Sequence, residues 1–146
     1  MNISTMPGHL IRRLHQLSTQ VFSAHMQDAD LPLTPVQFAA LDAIRSQPGI
    51  DQAGVAALIA YDRATIGGVI DRLEKKGLVV RTVSKTDRRA RQVSLTPRGE
   101  ALFNTLLPRV AALQTEILPG LTDAERQQFL ALASKALAYA DGSGTT

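Results

Sequence analysis

The chain has 146 residues, no cysteine, 45% hydrophobic residues and a formal charge of +3. This length and composition suit one domain, or one small domain with an added helical dimerisation element, and allow an ordinary core. Without thiols, disulfides, thiolate zinc sites, cysteine nucleophiles and thiol redox switches are all excluded.

From the N-terminus, Leu10, Leu14, Leu17 and Val21 recur at helical spacing over residues 8–27, widened by Ile11, Phe22 and Met26. The opening MNISTMPGHLIRRLHQ places its arginines after its first apolar residues, the reverse of a signal peptide. No apolar run approaches the roughly 20 residues of a membrane span. A cytoplasmic location with no membrane partner is therefore expected.

After the polar break DADLPL, Thr34-Pro35-Val36-Gln37 reads as a capping box with proline at the first helical position. It opens a helix reaching Ser46, with Phe38, Leu41 and Ile44 turned inward, and Pro48-Gly49 ends it. Asp51 is placed to cap a short third helix over 52–59, and Asp62 a fourth running to Lys76. Only Ala60-Tyr61 separates the two, the short joint of a helix-turn-helix. Gly77 suits the left-handed stop of the fourth helix.

Residues 78–83 and 92–95 are short β-branched runs around the polar loop SKTDRRAR, which predicts a hairpin. Thr96-Pro97 opens a long helix to Leu118, with Leu102, Leu106, Val110, Leu113 and Ile117 along one side and Pro108 expected to kink it. A second capping box, Thr122 to Glu125, opens a last helix to Tyr139, and residues 142–146 are expected to be a disordered tail.

The order α-α-α-α-β-β-α-α predicts a mainly α fold with a small β-hairpin. A winged helix-turn-helix spans 34–96, and the flanking segments 1–33 and 97–141 form a helical dimerisation region. The outer helices are too long and too apolar on one face to be caps, so they are expected to bury their stripes in a symmetric homodimer.

Residues 62–98 hold ten of the sixteen Lys and Arg against four acids, a net +6 that leaves the rest of the chain at −3. A basic rod beside a basic hairpin is what duplex DNA requires: a helix for the major groove and cations for phosphates. On the fourth helix Ile66, Val69, Ile70 and Leu73 share a face that must be buried. The other side offers Arg63, Thr65, Gly68, Arg72 and Lys75 as candidate DNA contacts.

Gly67 and Gly68 each cost about 1 kcal/mol relative to alanine inside a helix. Close approach to the groove accounts for Gly68 well and for Gly67, nearer the buried edge, less well. Alternatively, either glycine admits a neighbouring helix. The loop adds Lys85, Arg88, Arg89 and Arg91, whose bland reading is a solvated basic turn. Directly after a candidate recognition helix, the same loop reads as a wing whose tip arginine enters a minor groove. Asp87 would be repelled by phosphate, so its expected role is to hold a neighbouring arginine in position.

The Leu73-Glu74…Gly77-Leu78-Val79 junction, the Asp87-Arg88-Arg89 wing and the Leu95-Thr96-Pro97-Arg98-Gly99 exit together resemble the signature of the MarR family of winged helix-turn-helix transcriptional regulators. The resemblance is strongest over 50–100, and the flanking helices agree with it. It implies a homodimer on a pseudo-palindromic operator near its own promoter, and repression relieved by a small anionic, often aromatic, effector. It also implies Asp87 and Arg89 as the wing pair, Arg89 as the minor-groove contact and 62–76 as the recognition helix. Peroxide-sensing members carry a cysteine near the start of the first helix; this chain has none.

The same resemblance places the effector between the dimerisation helices and the winged domain, and the PGHLIRRLHQ start resembles the aromatic-carboxylate-responsive subgroup. His9 and Arg13, four residues apart, share a face that a carboxylate could bridge, with Arg12 and His15 completing the candidate set. The alternative is that Arg12 and Arg13 make only surface or intersubunit salt bridges. His9, His15 and His25 do not stack on one face, so no metal is expected, and no cofactor either. With no glycine-rich phosphate loop and all histidines in one helix, an enzyme is not expected. The competing binding function is a constitutive or architectural DNA binder without an effector.

Overall fold

The computed structural model describes residues 2–29, 31–87 and 89–142. Among these, six helices and one hairpin follow in the order α1 (Pro7–Met26), α2 (Pro35–Ser46), α3 (Gln52–Leu58), α4 (Ile66–Lys75), β1 (Val79–Val83), β2 (Arg91–Leu95), α5 (Pro97–Ile117) and α6 (Asp123–Ala140). A short 3-10 turn at Ile3–Thr5 precedes α1. The expected mainly α fold with a winged hairpin is thus the observed one. No helix among the described residues is long and apolar enough to cross a membrane. Beyond Gly142, the tail expected to be disordered lies outside the described residues, as does Arg88.

Local sequence signals set most element ends. In α2 the capping box is complete: the Gln37 N–H donates to Thr34 Oγ1 and the Thr34 N–H donates to Gln37 Oε1, both at 3.1 Å. The same reciprocal pair, Thr122 with Glu125, opens α6 at 2.9 and 3.2 Å. These hydrogen bonds lower the Glu125 pKa below its ordinary value. Asp51 caps α3 by accepting the Gly54 N–H at 2.7 Å. Gly77, at φ +75, ends α4 in a Schellman arrangement, with Leu78 N–H donating to Leu73 O at 3.0 Å and Gly77 N–H to Glu74 O at 2.9 Å.

The helix-turn-helix joint differs from the expectation. It covers 59–65 rather than Ala60-Tyr61 alone, and α4 starts at Ile66 rather than Asp62. Ala60 turns α3 off with a left-handed φ of 54, and the Tyr61 N–H closes back on Ala56 O at 2.8 Å. Asp62 does cap, but it caps a turn: its carboxylate accepts the Ala64 N–H at 3.0 Å while its carbonyl accepts from Thr65 and Ile66. This turn, with β-branched Thr65 a weak helix former at its end, delays the helical run.

The chain forms two compact units, Met1–Leu113 and Gln114–Thr146, and α5 runs without interruption through Pro108. In the first unit Ile66, Val69, Ile70 and Leu73 are all buried, as their spacing requires, against a core that includes Leu41, Ile44, Val55 and Leu106. Phe38 stacks on Phe103 at 5.0 Å between ring centroids and meets Phe22 edge-on at 6.3 Å, so α1, α2 and α5 share one aromatic cluster. The Arg45 guanidinium lies 4.6 Å from the Phe103 ring centre.

β1 and β2 pair antiparallel with Val79 opposite Leu95 and Arg81 opposite Val93. A bridge between Asp51 and Gln92, with Val93 N–H donating to Ile50 O at 2.9 Å, adds the start of α3 to this small sheet. Gly99 is forced: a β-carbon there would lie 2.0 Å from the Leu78 carbonyl oxygen. Thr96 completes this corner, its Oγ1 donating to Gly77 O at 2.6 Å and accepting the Gly99 N–H at 3.0 Å.

In the second unit none of the residues of α6 is buried. Leu130, Leu132, Leu137 and Tyr139 are all more than half exposed. Arg126 binds the end of α5 through Thr115 O and Leu118 O while pairing with Asp123 at 3.1 Å.

Candidate nucleic-acid interface

Four of the expected DNA contacts come together. Arg63, in the turn before α4, and Asp87, Arg89 and Arg91 of the wing line a cleft of about 410 Å³ with Asp51, Gln52 and Ala53 of the α3 start. Arg72 and Lys75 are exposed on α4, Lys85 is exposed in the wing, and Thr65 is exposed just before the helix, its hydroxyl donating to Asp62 O at 3.2 Å. Because α4 begins at Ile66, Arg63 and Thr65 belong to the turn and not to the helix face assumed for them.

The wing is built by its own polar groups. Buried Ser84 accepts the Thr86 and Asp87 N–H groups, both at 3.3 Å, and its own N–H donates to Ala90 O. The Asp87 carboxylate accepts the backbone N–H of Arg89 at 3.0 Å. Asp87 therefore positions Arg89 through the main chain, and Arg89 is exposed.

The two glycines separate cleanly. A β-carbon on Gly67 would lie 3.3 Å from Gln52 Nε2, tighter than an ordinary contact, so Gly67 makes room for α3. On Gly68 it would meet only the Arg72 side chain at 3.7 Å. Among the described residues nothing requires glycine at 68.

Among the described cations of 62–98, Lys76 and Arg81 serve the fold. Lys76 donates to Pro32 O at 2.8 Å and Gln37 Oε1 at 3.3 Å, and burial lowers its pKa. Arg81, on β1, is held by Gln52, Gly67 O, Asp71 and Glu74. The +6 of this stretch therefore overstates the charge free for DNA. Arg81 and Ser84 were missed as site-building residues. The legible signal for Arg81 was an arginine on the inward register of a β-branched strand, just after a helix carrying Asp71 and Glu74 at i, i+3 spacing.

The candidate effector residues are dispersed. His9 Nδ1 lies 3.4 Å from the Arg12 guanidinium. Arg13 instead lines a concavity of about 450 Å³ with Leu10, Leu14, Gln16, Leu17 and Gln20. His15 is exposed and outside this lining.

Comparison with known proteins agrees with this architecture. The MarR family sequence profile matches residues 31–90. The chain is 32% identical to the HTH-type transcriptional repressor NicR of Pseudomonas putida over 98% of this chain and 89% of NicR. Its fold is similar to that of Bordetella bronchiseptica BpsR, whose DNA binding is regulated by 6-hydroxynicotinic acid, with a TM-score of 0.85, 34% identity and coverage of 93% and 96% of the two chains. It is also similar to the transcriptional regulator PcaV of Streptomyces coelicolor in complex with its natural ligand, with a TM-score of 0.86, 30% identity and coverage of 96% and 97%. A winged helix-turn-helix with a basic, self-braced wing, matched along almost its whole length by such regulators, places this chain in the MarR family of transcriptional regulators.

Proposed function

We propose that the protein is a homodimeric repressor that binds a pseudo-palindromic operator and releases it on binding a small aromatic or heteroaromatic carboxylate. The observation that carries the reading is the cleft shared by Arg63, Arg89 and Arg91, which joins the helix-turn-helix to the wing in one cationic surface. In this reading α4 enters the major groove and Arg89 the adjacent minor groove, with Arg72, Lys75, Lys85 and Arg88 on phosphates. Gly68 lets the α4 backbone approach the groove closely.

The dimer is supported by what a single chain leaves uncovered. Leu10, Ile11 and Leu17 on α1 are exposed, as are the large apolar residues of α6, in the segments 1–33 and 97–141 assigned to dimerisation. The effector class is supported by the α1 concavity, where Leu10, Leu14 and Leu17 offer an apolar wall and Arg13 a carboxylate partner. BpsR's response to 6-hydroxynicotinic acid and the name of NicR as a repressor support the same direction.

Half-sites on one duplex face lie about 34–36 Å apart, so a ligand that favours a dimer shape with a different recognition-helix spacing releases DNA. Thermal melting with 6-hydroxynicotinic, benzoic, salicylic and protocatechuic acids tests the effector. A saturable rise in melting temperature with one of them, absent in Arg13→Ala, is expected. Equal shifts in both proteins would remove Arg13 from the site, and no shift with any compound would favour a constitutive DNA binder.

A further inference from the structure

We propose that Arg81 is a positioning residue for DNA binding, a strut that fixes α4 to α3 and the wing and withholds the Asp71 and Glu74 carboxylates from the phosphates. The inference rests on the DNA-binding reading of α4 and the wing.

Arg81 sits on β1, yet its side chain reaches two helices. Nε donates to Gln52 Oε1 of α3 at 3.2 Å, and one terminal nitrogen donates to the Gly67 carbonyl of α4 at 3.0 Å. The other pairs with Asp71 and lies 3.6 Å from Glu74. The Arg81 main-chain N–H donates to Glu74 as well, at 3.3 Å. A planar guanidinium with a fixed fork of donors can serve all of these at once; a lysine ammonium cannot reach them together. The Gly67 position fits this knot, because a side chain there would press on Gln52.

The electrostatics give the strut its purpose. Asp71 is 57% exposed on a helix that faces a polyanion, while Arg81 is only 20% exposed. An unpaired carboxylate at that position repels phosphate, and a guanidinium already committed to Asp71, Gln52 and Gly67 makes a poor phosphate ligand. Arg81 therefore contributes to affinity through Asp71 and helix placement, with no DNA contact of its own.

A double-mutant cycle on the full-length protein reads this directly, using a duplex from the region upstream of its gene at fixed salt. R81Q is expected to weaken binding about tenfold while the protein stays folded by circular dichroism. D71N alone should change affinity by less than about twofold, because Arg81 keeps its other partners. In the R81Q background D71N should restore most of the loss, and R81K, in place of R81Q, should lose only part of the affinity. R81M, which keeps the aliphatic stem, replaces R81Q in the cycle if R81Q does not fold.

Wild-type affinity in R81Q would overturn the proposal. So would an equal D71N effect in both backgrounds, which would make Arg81 itself a phosphate contact. Failure of the wild-type protein to bind any duplex would instead overturn the DNA-binding reading on which the strut depends.

Discussion

α4 and α6 make an instructive pair. α4 is a ten-residue helix that buries Ile66, Val69, Ile70 and Leu73, and every apolar group of its inner face finds a neighbour within one chain. α6 is an eighteen-residue helix with no fully buried residue, and Leu132 is 67% and Tyr139 76% exposed. The first completes its structure alone; the second presents an apolar surface of a kind that monomers rarely leave in water. The winged segment is thus a finished reading head, whereas in the function proposed above the outer helices are half of an interface whose other half is a second copy of this chain. In that proposed reading, an effector acting between two such halves changes the spacing of the heads without touching their contacts.

The largest expected effect breaks the unfinished half. L130D/L137D places two carboxylates on one face of α6 and should yield a monomer by analytical ultracentrifugation. Operator affinity should fall by about 1,000-fold, because each half-site is then bound alone. A dimer surviving these changes would show that α6 does not carry the interface.

Next in size is a cut in the finished half. Phe103 is fully buried against Phe38 and Arg45, and Phe103→Ala should lower stability by about 3 kcal/mol in urea titration. A loss under about 1 kcal/mol would mean that the aromatic cluster collapses to fill the space.

Arg89→Ala removes an exposed cation and nothing from the core. It should weaken operator binding by about 10- to 100-fold and lower the salt slope by about one, with unchanged melting. Near-native affinity would refute the wing assignment. The smallest expected change in operator binding is that of Arg13→Ala, less than about twofold, since one phosphate-distant cation is lost. Any greater loss would place Arg13 in the DNA surface.

Much of this was legible in the sequence because it rests on local chemistry. The capping boxes at Thr34 and Thr122, the Gly77 stop and the buried stripe of α4 depend on residues within a turn of each other. The start of α4 was not legible: an Asp62 that caps a turn and one that caps a helix look alike until Ala60 adopts its left-handed conformation. Arg81 enters the sequence reading only within the basic total of 62–98, because its partners Gln52 and Gly67 lie 29 and 14 residues away. The direct contact of His9 with Arg12 was not legible either, since Arg12 at i+3 and Arg13 at i+4 are equally plausible neighbours on a helix. Phe103 was not legible as a core residue because it neighbours Leu102 of the expected leucine stripe, and only its packing on Phe38 turns it inward.

The most direct test of the central claim is fluorescence anisotropy of the duplex upstream of this gene, titrated with the protein at fixed salt, with and without 6-hydroxynicotinic acid and related aromatic carboxylates. Tight binding by two protomers per site, abolished by one of these compounds at saturating concentration, is the predicted result. Tight binding that none of the compounds disturbs would contradict ligand-relieved repression and leave a constitutive DNA binder.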